Sequence, residues 1–170
     1  SYLAAVNQKL LVAKKLTQLV DSAQGSVNDR HVQAVIAQSI ATQLYHAWNW
    51  HIKDVASNYK VKDPSVIQSV DDLVDVLKAD GKQPGEATEL KNLFDSPTSW
   101  VRELVDAYSQ LADLPEIRKA EMDVDRLPVL ALETNLGGKK ITDWNLTTAV
   151  NWSKQMVELV DRQREMMIEF

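Results

Sequence analysis

Residues 28–60 read NDRHVQAVIAQSIATQLYHAWNWHIKDVASNYK, and the reading of this run decides the fold. It contains no Gly or Pro, so nothing in its backbone chemistry interrupts a helix about 50 Å long at 1.5 Å per residue. Apolar residues recur at Val32, Val35, Ile36, Ile40, Leu44, Trp48, Ile52, Val55 and Tyr59, mostly in steps of four. At 100° per residue such a stripe drifts around the cylinder. Ala34, Ala37, Ala41, Ala47 and Ala56 widen it, and no Asp, Glu, Lys or Arg occurs between Arg30 and Lys53. A helix apolar over most of its circumference is covered on several sides by neighbours. The run therefore predicts the spine of a helical bundle, with Ile36, Ile40, Leu44, Trp48 and Ile52 nearly fully buried.

The rest of the chain supplies the neighbours. Leu3, Val6, Leu10, Ala13, Leu16, Leu19 and Val20 repeat at three and four opposite Lys9, Lys14, Lys15 and Gln18, which predicts a first amphipathic helix. Gln24-Gly25-Ser26 ends it, Ser26 or Asn28 can cap the spine, and so short a turn makes the two helices antiparallel. Asp63-Pro64 is a helix-start signal, followed by Val66, Val70, Leu73 and Leu77 up to a stop at Gly81. Gly85 to Phe94 reads as a weaker helix. Ser96-Pro97 repeats the start signal before the periodic run Trp100, Val101, Leu104, Val105, Tyr108 and Leu111.

Periodicity fails between Glu116 and Lys140. The run Leu127-Pro128-Val129-Leu130-Ala131-Leu132 is expected as an extended segment against the bundle, near 120–133, because no second β-like run exists to pair with it. A last helix starts at Thr142 or Asp143 and can run to Phe170, with Ala149, Trp152, Met156, Leu159, Val160, Met166, Met167 and Phe170 as its seam and Gln163 a polar interruption. Its apolar end must dock, on the spine as far as about Val160 and through self-association beyond it. The expected fold is all-α: one domain over 1–170, a bundle of five to six helices around a long central second helix.

Composition narrows the function classes. The absence of cysteine removes thiolate chemistry and agrees with a reducing, cytoplasmic setting. No apolar run approaches the roughly 18 residues that cross a bilayer, and no targeting segment is visible, so no membrane partner is expected. The net charge of -5 divides unevenly: residues 1–60 hold 6 basic against 3 acidic groups (+3), residues 61–170 hold 13 against 21 (-8). Neither part offers an electrostatic footprint for nucleic acid.

Catalytic signatures are missing. His46 and His51 are five residues apart, about 140° around a helix, and His31 lies roughly 20 Å away, so no metal site is expected. His51 stands three before Asp54, but the second Glu-x-x-His helix of di-iron bundles is absent. Asp71, Asp72 and Asp75 lack calcium-loop spacing and read as a solvated face. Gly137-Gly138 lacks the context of a phosphate loop, and Gly-x-Ser-x-Gly does not occur. No catalytic, cofactor-binding or metal residue is assigned, and no cofactor is expected.

One surface remains: His46, Asn49, Trp50, Lys53 and Asp54 lie within about 140° of arc, apart from the Trp48, Ile52 and Val55 stripe. It has two readings. Either Trp50 packs on a neighbouring helix while His46 and Lys53 border it, or Trp, His and amides form a binding patch.

Asn7-Gln8-Lys9-Leu10, Tyr45-His46-Ala47 with Tyr59, Ser96-Pro97 to Trp100 with Ala107-Tyr108, Leu127-Pro128, and Trp144 to Arg164-Glu165 together resemble an uncharacterised all-helical family of gammaproteobacteria. The resemblance spans nearly the whole chain. It implies a small bacterial cytoplasmic protein and transfers no activity, cofactor or catalytic residue. Function is thus open between a non-enzymatic interaction or regulatory protein, acting on an unknown protein partner or on itself through the C-terminal helix, and a small-molecule binder or enzyme with a pocket near Tyr45, His46 and Trp50.

Overall fold

The computed structural model describes residues 1–22, 30–113 and 144–168, and among these described residues it holds six α-helices and one 3-10 turn. They are α1 (Tyr2–Ser22), α2 (Arg30–Asn58), the turn Pro64–Val66, α3 (Val70–Ala79), α4 (Gly85–Asp95), α5 (Trp100–Gln110) and α6 (Leu146–Ile168). All five other helices and the turn pack on α2, so the uncharged run is the spine. Ile40, Leu44, Trp48 and Ile52 are buried, as expected. Ile36 is only half-buried, because fully buried positions on α2 begin at Ala37, and Val32 and Val35 beyond it are exposed.

Helix ends explain the other departures from the sequence reading. The signal at Asp63-Pro64 starts only a single 3-10 turn: Asp63 Oδ1 accepts the Ser65 N–H at 3.1 Å, and Ile67 then leaves helical geometry at φ -72° and ψ 117°. α3 begins at a second cap. Ser69 Oγ accepts the Asp72 N–H at 3.1 Å, and the Asp72 carboxylate accepts the Gln68 N–H at 2.9 Å. This reciprocal pair satisfies two otherwise orphaned donors at the helix start. Asp72 is thus a capping group and Asp71 pairs with Lys91 of α4, so two of the three expected solvated carboxylates have structural partners. Gly81, at φ 72°, closes α3 as expected.

Likewise Ser99, not Ser96-Pro97, caps α5: its Oγ accepts the Arg102 N–H at 3.0 Å and its hydroxyl donates to the Leu93 carbonyl. Ser96 closes α4. α2 ends in the same way as α3, with Lys60 at φ 61° and the Val61 N–H bonded to the Ala56 carbonyl at 3.0 Å.

The Tyr2 and Trp50 rings lie 5.9 Å apart, which sets α1 antiparallel to α2. α6 docks through Ala149, Trp152, Met156, Leu159 and Val160, and its burial continues past the expected limit to Gln163, with Met167 still against the core and Ile168 exposed. Residues 23–29, the extended run expected near 120–133, the start proposed at Thr142 or Asp143, and Phe170 lie outside the described residues.

Candidate functional site

Four of the five candidate surface residues, His46, Asn49, Trp50 and Lys53, line one cleft together with Tyr45, Ile52, Ile67 and Gln68. The cavity measures about 280 Å³. Its residues come from one face of α2 and from the backbone just after the 3-10 turn, where the non-helical Ile67 lets the chain fold back across the spine. Ile52 and Ile67 are almost fully buried and form an apolar floor. Tyr45 is held from outside by α5, its ring stacked on Tyr108 at 3.8 Å between centroids and 8° between planes. His46 meets both tyrosines edge-on, each at 6.1 Å. Stacked and edge-on ring contacts of this kind constrain side-chain direction as well as burying area. Lys53 Nζ sits 5.2 Å from the centroid of Trp50, whose ring also packs on Tyr2 of α1.

Trp50 packs on a neighbouring helix, as one of the two readings has it, and it also lines a concavity. Among the described residues that line the cleft, Lys53 carries the formal charge.

Asp54 is not part of this cleft. It is 6% exposed and faces α6, its Oδ2 3.7 Å from Arg164 Nη2. That separation makes an ion pair without a hydrogen bond, and Arg164 Nε and Nη2 have no hydrogen-bond partner while Nη1 donates to Asn7 of α1 at 3.3 Å.

A second polar group, which the sequence reading did not assemble, lies inside the bundle. His51 Nε2 is 2.8 Å from Gln163 Oε1. The Gln163 amide nitrogen donates to the Glu86 carbonyl at 3.3 Å and to Glu89 Oε2 at 2.8 Å. Since both of those neighbours can only accept, the amide oxygen must face His51, and His51 must donate from Nε2. Its Nδ1 is left as a buried lone pair without a partner. Burial pushes the His51 pKa down, so the ring is neutral. Arg162 binds Glu89 through two bonds of 2.6 and 3.0 Å, which holds the Glu89 carboxyl below its usual range.

At the end of α2, the Tyr59 hydroxyl donates to the buried Glu86 at 2.8 Å, and burial with that bond raises its pKa to about 12. Each displaced group is thus spoken for by a structural partner, away from the cleft. The clues to this network were present in the sequence as Gln163 interrupting an apolar seam and His51 on an uncharged helix.

Among the described residues no group of three or more His, Cys, Asp or Glu could hold a metal ion, and no helix is long and apolar enough to cross a membrane. A family model covers residues 1–170. The chain belongs to the family of unknown function DUF6586. No curated protein and no solved structure matches this DUF6586 chain. The membership agrees with the resemblance noted from the sequence, and it brings no activity to the cleft.

Proposed function

We propose that the protein is a non-enzymatic helical binding module of the cytoplasm whose recognition site is the cleft of Tyr45, His46, Asn49, Trp50, Lys53 and Gln68. One observation carries this reading: the cleft is walled by groups suited to contact, two aromatic faces, two amides and one ammonium over an isoleucine floor. Its volume of about 280 Å³ falls at the small end of ligand pockets, fitting a compact polar molecule with a flat ring. The groups with displaced ionisation, which catalysis would draw on, stand elsewhere: His51 and Glu89 in the Gln163 network, Tyr59 on the Glu86 carboxylate and Lys91 between Asp71 and Asp95. The cytoplasmic setting is supported by the cysteine-free sequence.

The test is to incubate the purified chain with a small-molecule cell extract, remove unbound compounds by gel filtration, and identify by mass spectrometry what travels with the protein. The native chain should carry at least one compound that the Asn49→Leu, Lys53→Glu variant loses. Identical profiles for the two proteins would contradict the assignment.

A further inference from the structure

A second, larger concavity of about 640 Å³ lies where α2 ends, and Tyr59, Lys82, Pro84, Gly85, Glu86 and Met166 line it. Helix ends build it. Tyr59 follows the last residue of α2, so its carbonyl is one that the helix leaves without an internal donor. Gly81 turns the chain out of α3, its own N–H on the Lys78 carbonyl at 3.0 Å and the Lys82 N–H on the Leu77 carbonyl at 2.8 Å. That turn returns the Lys82 ammonium to the Tyr59 carbonyl, at 2.7 Å. At the far end of the same tyrosine the hydroxyl donates to Glu86 Oε2. A cation and an anion thus stand at the two ends of one side chain, and among the described residues neither forms an ion pair. Glu86 is only 4% exposed, yet its Oε1 accepts no hydrogen bond and is not sealed from solvent, so it opens into the concavity that Glu86 borders. A carboxylate this buried, with a neutral hydroxyl on one oxygen and nothing on the other, gains from a cation. The Lys82 ammonium likewise has two N–H groups left over.

We propose that this concavity binds an ω-amino carboxylate, its ammonium on Glu86 Oε1, its carboxylate on Lys82 and its apolar chain along the Tyr59 ring. Charge selects this class. An amine without a carboxylate would set a second cation beside Lys82, and a carboxylate without an amine would set a second anion beside Glu86. Length selects it too, because the two charges are held apart by a tyrosine and an α-amino acid carries its own on one carbon. Between them the walls are apolar: the Tyr59 ring, Pro84, and Met166, which lies one turn beyond Gln163 on α6 and whose flexible thioether adapts to a chain laid against it. The volume lies within the range of small-molecule sites. The site is separate from the cleft, and either can stand without the other.

The test titrates the full chain with 6-aminohexanoate, hexylamine and hexanoate by calorimetry. 6-Aminohexanoate should bind about tenfold tighter than either of the others or more, weaken with added salt, and move the methyl resonance of Met166. Glu86→Gln keeps an acceptor for the Tyr59 hydroxyl and Lys82→Gln keeps a donor for its carbonyl, so each should melt as the native chain does and lose about tenfold in affinity. In Glu86→Gln hexanoate should also draw level with 6-aminohexanoate, which a merely structural role for Glu86 would not produce. No binding of 6-aminohexanoate, equal binding of the three compounds, or an affinity unchanged in both variants overturns the proposal. If a variant fails to fold, the ranking of the three compounds on the native chain decides alone.

Discussion

His51 on α2 and Gln163 on α6, 112 residues apart in sequence, meet at 2.8 Å inside the bundle, and both are fully buried. Their bond orders three helices at once, because the same Gln163 amide donates to the backbone of Glu86 and the carboxylate of Glu89 on α4. Replacing Gln163 by Leu strands the His51 Nε2–H and removes a donor from two acceptors. The expected loss is about 1–3 kcal/mol in a denaturant melt. Adding His51→Leu to Gln163→Leu should cost less than the sum of the two single changes, since the partner left unsatisfied by the first is removed by the second. Strict additivity would mean that the two side chains do not interact in solution.

Acid should loosen the same network. The folded-state pKa of His51 lies below its ordinary 6.5, owing first to burial, with Arg164 lowering it further and Gln163, Asp54 and Glu89 opposing. Below pH 6.5 the unfolded chain binds a proton that the folded chain refuses, so stability falls from 6.5 down to the depressed native value. Glu89, lowered by its bonds to Arg162, adds a second loss in the same direction below its ordinary 4.5. The melting temperature should therefore drop in two stages on acidification, and His51→Gln should flatten the upper stage alone. A melting temperature level from pH 7 to 5 in the native chain contradicts this.

Lys60 closes α2 in the left-handed region at φ 61°, where a side chain is strained and glycine is not. Lys60→Gly should stabilise the fold by roughly 0.5–1 kcal/mol, the strain relieved being partly offset by the greater freedom of an unfolded glycine. Chemical denaturation would show it as a higher midpoint with an unchanged slope; a lower midpoint rejects the strain.

The burial gradient along α2 can be read by truncation. Leu44→Ala, at a fully buried position, should cost about 2–5 kcal/mol, and Val35→Ala, in the exposed region, within about 0.5 kcal/mol. Ile36→Ala should fall between them. A loss under about 1 kcal/mol at Leu44 would show that the spine is not central.

How far this was legible in the sequence varies by element. The spine was legible because 22 consecutive residues, 31 to 52, carry no Lys, Arg, Asp or Glu, a pattern only a surrounded helix tolerates. Its distal end misled, since Val32, Val35 and Ile36 continue the period where full burial has ended, and period alone does not report how deeply a position is covered. Asp63-Pro64 and Ser96-Pro97 misled for a different reason: each is a sound start signal, but a better cap, Ser69 or Ser99, stands a few residues on and the longer helix takes it. For the candidate surface, the arc on α2 could be drawn from 100° steps. It could not show that Asp54 turns to Arg164, or that Ile67 and Gln68 close the cleft, because those contacts join residues distant in sequence.

The cleft as a binding site is tested most directly by nuclear magnetic resonance of the isotopically labelled chain against a library of flat, polar fragments. Binding there should shift the indole N–H of Trp50 and the side-chain amides of Asn49 and Gln68, weaken in Lys53→Gln, and leave the indoles of buried Trp48 and Trp152 in place. Fragments that move Trp48 or Trp152 but not Trp50, or a library that moves none of the cleft resonances, would contradict it.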